Sequence, residues 1–136
     1  MLPRFSQVLD FQAQALMLRA DRQRLIASNI ANADTPGFQA RELDFAAALR
    51  EATAGAAPAG SALRTHAAHI APALDLGSQR HLRWAAASQS SLDGNSVDMD
   101  RERASFADNS VRYEAALRFI NGSVRTMLDA IRGQSQ

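Results

Sequence analysis

The chain has no cysteine, no lysine and no long apolar run, and each absence excludes a class of function. Without cysteine there is no disulfide scaffold, no thiolate zinc site and no cysteine nucleophile. Without lysine, all fifteen basic residues are arginine; against fourteen acids they leave a net charge of +1. So even a balance gives little support to a nucleic-acid binder. Aromatics make up only 6% of the 136 residues. A compact core normally draws on large side chains, each worth roughly 1.5–3 kcal/mol when buried. No uncharged apolar run approaches the ~20 residues that cross a bilayer, so no membrane span is expected. The opening MLPRFSQVLDFQ interrupts its apolar positions with Arg4 and Asp10, so no signal-peptide core is expected there either. The default address is then the cell interior, unless a route without a cleaved signal carries the chain out.

What the chain does have is alanine, which loses no side-chain entropy on joining a helix. The expectation is a mainly α protein with a thin core. From about Phe5 to Ala33 there is neither proline nor glycine, and apolar residues recur at helical spacing. Leu9, Ala13, Leu16, Ala20, Ala27 and Ile30 form a stripe interrupted at Gln23. Asp34-Thr35-Pro36-Gly37 ends it, and Pro36-Gly37 suits the centre of a type II turn. From Phe38 to Ala52 an extended piece and a short helix are expected, because Phe45, Leu49 and Ala52 keep the helical period. TAGAAPAGSA, residues 53–62, is low-complexity. Beyond it, Leu74-Asp75-Leu76 and His81-Leu82-Arg83-Trp84 are candidate short strands. Leu92-Asp93-Gly94-Asn95 is a turn, after which Asp98 or Ser96 can cap a second long helix. Asp100 and Glu102 then complement the positive end of that helix.

The second helix carries the strongest pattern. Met99, Phe106, Tyr113, Ile120 and Met127 are spaced by seven, and Arg103, Ser110, Leu117, Val124 and Ile131 interleave four residues later. Together they read as a heptad seam, apolar from Tyr113 onward. Arg132-Gly133 supplies a basic last turn and a C′ glycine. Two long terminal helices pairing as an antiparallel coiled-coil hairpin around an irregular middle is the expected architecture. The divisions are 1–37, 38–92 and 93–136, the first and last forming one inner domain. Apolar surface left over at the helix ends is expected to be covered by other subunits.

Catalytic and metal chemistry finds little footing. His66 and His69 stand three apart with His81 as a third ligand candidate, but they fall in the least regular stretch with only Asp75 nearby. Asp93, Asn95, Asp98 and Asp100 imitate a calcium loop but fail its pattern at Val97, Asp98 and Ala104. No nucleophile-elbow, zincin or phosphate-loop pattern occurs, so neither an enzyme nor a cofactor is expected. Arg118, Arg125 and Arg132 repeat every seven residues beside the seam. They read as a solvated flank or as partners for acidic groups of a neighbouring subunit. Asn29 and Asn32 sit in the last turns of the first helix, where asparagine is a mediocre helix former. They either terminate it or use their amides to fix the register of a neighbouring backbone.

The segment ALMLRADRQRLIASNIANADTPGFQARELDF, residues 15–45, closely resembles the amino-terminal signature of bacterial flagellar rod and hook proteins. SNIANADTPGF is its most specific part. Residues 91–133, SLDGNSVDMDRERASFADNSVRYEAALRFINGSVRTMLDAIRG, resemble the carboxy-terminal part of the same family. QARELDF and the short length point to a proximal-rod member over a subunit such as FlgC. Ser90 departs from the proline expected before SLDGN, and residues 50–87 match nothing quotable. The resemblance implies a structural protein exported unfolded through the flagellar type III apparatus without a cleaved signal. It implies assembly with itself, with the rod proteins FlgC and FlgF, with the adaptor FliE, and with the MS-ring protein at the base of a torque-transmitting rod. It places Ser28, Asn29, Ile30, Asn32, Asp34, Thr35, Pro36, Gly37 and Phe38 at subunit contacts. With these go the stripe and seam residues Leu9, Leu16, Phe106, Tyr113, Leu117, Ile120, Val124, Met127 and Ile131. The alternative from another class is a cytoplasmic helical protein that binds nucleic acid through its arginines.

Overall fold

A computed structural model describes residues 2–54, 76–86 and 92–133. Residues of TAGAAPAGSA beyond Ala54, and His66, His69, Leu74, Asp75 and Ser90, lie outside these stretches. Two long helices dominate: α1, Leu2–Ala31, and, last in the chain, α4, Met99–Arg132. Between them come β1 (Arg41–Leu43), α2 (Phe45–Thr53), α3 (Leu76–Gln79) and β2 (Leu82–Trp84). Helices α1 and α4 pack against each other as the expected hairpin. At 1.5 Å per residue each is about 45–50 Å long. The strands pair antiparallel, with Arg41 opposite Trp84 and Leu43 opposite Leu82. The extended piece and short helix expected after Phe38 are β1 and α2. Of the two strand candidates, the second forms β2, and the first lies outside the described residues except for Leu76. Leu76 instead opens α3, where Gly77-Ser78 turns the chain and the His81 amide closes on the Ser78 carbonyl at 3.1 Å.

Local chemistry fixes where elements begin and end. Asp98 caps α4, its Oδ1 accepting from the amides of Asp100 and Arg101, both at 3.1 Å. Gly133 ends that helix in the left-handed region at φ 68°. Asp44 caps α2 through the Ala47 amide, and this hydrogen bond, aided by Arg83, holds the Asp44 carboxyl below its ordinary pKa. The Pro36-Gly37 turn closes as expected, with the Phe38 amide 3.2 Å from the Thr35 carbonyl and Gly37 at φ 72°.

The core is thin and lies at one end of the hairpin. Leu18, Leu43 and Ala48 are buried together, with Leu25, Phe45, Leu49 and Leu82 packed around them. The guanidinium of Arg19 lies 4.6 Å from the centre of the Phe45 ring, covering that cluster from one side. Burial lowers the pKa of Arg19 from its ordinary value, although the group remains a cation at any accessible pH. Among the described residues, no α1 side chain before Ala15 and no α4 side chain after Ala116 is buried. Among the described residues, the far half of the hairpin is therefore a two-helix arm with no further element against it.

The buried stripes differ from those read in the sequence. On α1 the buried residues are Ala15, Leu18, Ile26 and Asn29, while Ala13 and Ala27 of the expected stripe are exposed. The reason is that α1 packs against α4 on one side and against β1 and α2 on another. Its inward sector is wider than one stripe and centred elsewhere. On α4 the positions turned into the hairpin are Glu102, Asn109 and Ala116, one residue before the expected Arg103, Ser110 and Leu117. They alternate with Phe106, Tyr113 and Ile120 in the 3–4 spacing of a coiled-coil seam. The other expected positions, Leu117, Val124 and Ile131, are exposed on an adjacent face.

Candidate assembly surface

Three asparagines hold the hairpin in one register. Asn29 is 1% exposed and treats β1 as a ladder partner: its Nδ2 donates to the Arg41 carbonyl at 2.8 Å, and its Oδ1 accepts from the Arg41 amide at 3.2 Å. Asn109, fully buried, donates to the Arg19 carbonyl at 2.9 Å and to Gln23 Oε1 at 2.6 Å. Gln23 in turn donates to Ser110 Oγ at 2.9 Å. The two polar residues that interrupt the stripe and the seam, Gln23 and Ser110, thus meet each other. A one-turn slip of α4 along α1 would break the Asn109 and Gln23 bonds inside a low-dielectric seam, while Asn29 fastens β1 to α1.

The third, Asn95, ties the two signature blocks together. Its Nδ2 lies 2.9, 2.7 and 2.9 Å from the carbonyl oxygens of Asn32, Ala33 and Thr35. Its Oδ1 accepts from the Val97 amide at 2.8 Å. Around it the chain from Gly37 to Ala40 runs beside residues 93–96. The Gly37 amide bonds the Asp93 carbonyl, the Ser96 amide bonds the Phe38 carbonyl, and the Ala40 amide bonds Ser96 Oγ at 2.7 Å. The Cα of Gly37 lies 3.8 Å from the position a Cβ on Gly94 would take, and Gly94 itself has φ 74°. Sequence reading took Asn95 as a turn residue; the signal for more was its place in the second signature block, opposite SNIANADTPG.

The signature residues divide by exposure. Asp34, Thr35, Pro36 and Gly37 stand exposed at the tip, while Ser28, Ile30, Asn32 and Phe38 are half-buried beneath them. Asn32 donates to the Ser28 carbonyl, a local helix-ending bond, so the two asparagines realise the two alternatives, one each. On α4, Phe106, Leu117, Val124 and Ile131 are exposed, and Tyr113, Ile120 and Met127 half-buried, giving a continuous apolar face. On α1, Val8, Phe11 and Met17 are exposed, and Leu9 and Leu16 half-buried. Arg118, Arg125 and Arg132 flank the α4 face in solvent, with only a 3.9 Å approach of Arg118 to Glu114. His81 is paired with Glu51, which also holds Arg80. No cluster of metal-ligating side chains occurs among the described residues, and none of their helices is long and apolar enough to cross a membrane.

A family profile described as flagella basal body rod protein matches residues 9–39, the stretch that holds α1 and its tip. The chain is 44% identical to the flagellar basal body rod protein FlgB of Salmonella typhimurium, over 98% of this chain and 99% of that protein. It belongs to the FlgB family. FlgB of Escherichia coli is 42% identical over 97% of the chain, and that of Cereibacter sphaeroides 38% over 96%. Membership in the FlgB family makes the chain a structural component of the flagellar basal body rod. FlgB likeness runs through the whole length, including the middle that sequence reading could not match.

Proposed function

We propose that this chain is a non-catalytic subunit of the proximal rod, assembling helically to join the MS ring to the axial structure and transmit torque. Residues 1–37 and 93–136 act as its inner domain. Its neighbours are further copies of itself, FlgC, FlgF, FliE and the MS-ring protein. It reaches the periplasmic rod through the flagellar type III apparatus without a cleaved signal. The observation that carries this reading is the uncovered face of α4, where Leu117, Val124 and Ile131 continue a heptad that the chain's own α1 leaves open. A face of that kind wants another helix against it. The exposed tip, Asp34 to Gly37, supplies a second contact, and Asn29 serves from inside by fixing the shape that presents it. Arginines on the flank meet acidic groups of the neighbour. Nucleic-acid binding is the weaker reading, because acids are interspersed among the arginines and the net charge is only +1.

A density map of the intact basal body tests this. Density for this chain is expected at the base of the rod, with α4 against helices of neighbouring subunits. Density elsewhere, or α4 facing solvent there, would overturn it.

A further inference from the structure

Glu102 is an acid where the hairpin seam calls for an apolar residue. It sits in the first turn of α4, where a carboxylate normally complements the helix dipole from the surface, yet it is turned inward and is 8% exposed. Its Oε2 is buried with no hydrogen-bond partner among the described residues, although the Asn29 amide acts on the carboxylate to favour its charged form. The groups around it are Arg22 and Asn29 on α1, Arg41 and Glu42 on β1, and Arg101 and Ser105 on α4, with uncharged Ala85 after β2. Arg101 is drawn to Glu42, 3.4 Å away. The recess beside Glu102, about 20 Å³, has room for about one water, and Arg22, Arg41 and Arg101 line it.

We propose that Glu102 is a proton-operated register lock: ionised, it keeps the hairpin only marginally ordered, and protonated, it lets the seam close. A buried carboxylate with an unused oxygen disfavours the closed seam, whereas a carboxylic acid can donate where the ion could only accept. Burial, the largest influence, pushes the Glu102 pKa up, while the Asn29 bond, Arg101 and Arg22 pull it down and Glu42 adds to the rise. The sign follows from linkage. With the folded pKa above the unfolded one, the stabilisation is full below the unfolded pKa and is lost as pH rises through the folded pKa. Mild acid therefore orders the hairpin. The lock acts within one chain and holds whether or not the subunit docks in a rod.

The test is helix content of the full chain by far-UV circular dichroism from pH 7.5 to 5, for wild type, Glu102→Gln and Asp108→Asn. Asp108 is a surface acid paired with Arg112 and serves as the control for general charge effects. Wild type should gain helix as pH falls. Glu102→Gln should be more helical than wild type at pH 7.5, with a slope at least twofold smaller, while Asp108→Asn keeps the wild-type slope. Carbon-13 resonances of the Glu102 carboxyl should titrate above the ordinary glutamate range. A wild-type slope in Glu102→Gln, less helix than wild type at pH 7.5, no pH response in the parent, or an ordinary carboxyl midpoint would each overturn the proposal.

Discussion

Single amides do much of the fastening in this chain. Large apolar contacts are few, so register depends on Asn29, Asn95 and Asn109, whose bonds are short and mostly to backbone. Replacing Asn95 with alanine removes a donor from the Asn32, Ala33 and Thr35 carbonyls. The first and last keep the Thr35 and Phe38 amides, so the cost falls on Ala33, at about 1–3 kcal/mol if its carbonyl stays buried and unsatisfied. Hydrogen exchange at residues 93–97 and at the facing amides of residues 37–40 should accelerate together. Asn29→Ala strands both polar groups of Arg41, and β1 should then detach from α1 before the hairpin opens. Asp44 gives a pH dependence opposite to that of Glu102. Its carboxyl is held low by the Ala47 amide, so its contribution is present above the unfolded pKa and lost as pH falls through the folded one. The protection factor of the Ala47 amide, taken relative to the intrinsic exchange rate at each pH, should therefore fall on acidification, and Asp44→Asn should flatten that response.

At the level of elements, α4 carries two seams side by side. The inner one alternates Glu102, Asn109 and Ala116 with Phe106, Tyr113 and Ile120; the outer one, through Leu117, Val124 and Ile131, is apolar and exposed. Sequence reading found the heptad, the two helices and their caps, because periodicity and capping chemistry are local. One half of the expected seam, Phe106, Tyr113 and Ile120, lies in the hairpin, and the other half is set one residue late, because hydrophobicity alone ranks leucine and valine above alanine and asparagine. Periodicity does not show that α1 packs on the side of Asn109 and Ala116 and leaves Leu117, Val124 and Ile131 exposed. The neighbours Ala116 and Leu117 separate the two seams. Ala116→Leu should overpack the hairpin, costing about 1–3 kcal/mol and lowering monomer helix content. Leu117→Asp should leave monomer helix content unchanged and abolish motility in a strain relying on this chain. Normal swimming by that strain would remove the outer seam from the account. Of the candidate site, the exposure of Asp34 to Gly37 follows from the turn signal, while Leu117, Val124 and Ile131, expected inside the hairpin, are exposed beside it. Asn95 and Glu102 were not legible, since both take their roles from contacts more than sixty residues away in the chain.

For the molecule as a whole, burial is concentrated between Ala15 and Asn29 on α1 and between Glu102 and Ala116 on α4, with β1 and α2 against them. Beyond that block, among the described residues, the two helices run on as an arm with no third layer. Two-helix arms bury too little apolar surface to offset the entropy of ordering them. The same weakness suits a subunit that must stay loose until it reaches its place. The purified chain at low concentration should therefore show much less helix than α1 and α4 together contain, and melt without a sharp transition. Amide hydrogen exchange, read residue by residue on that monomer and on the assembled rod, tests this most directly. Protection is expected around Leu18, Leu43 and Ala48 in the monomer, with residues 7–14 and 117–131 exchanging freely until assembly protects them. Uniform protection along both helices in the monomer, with a cooperative, fully helical melt, would contradict the claim that neighbouring subunits complete the core.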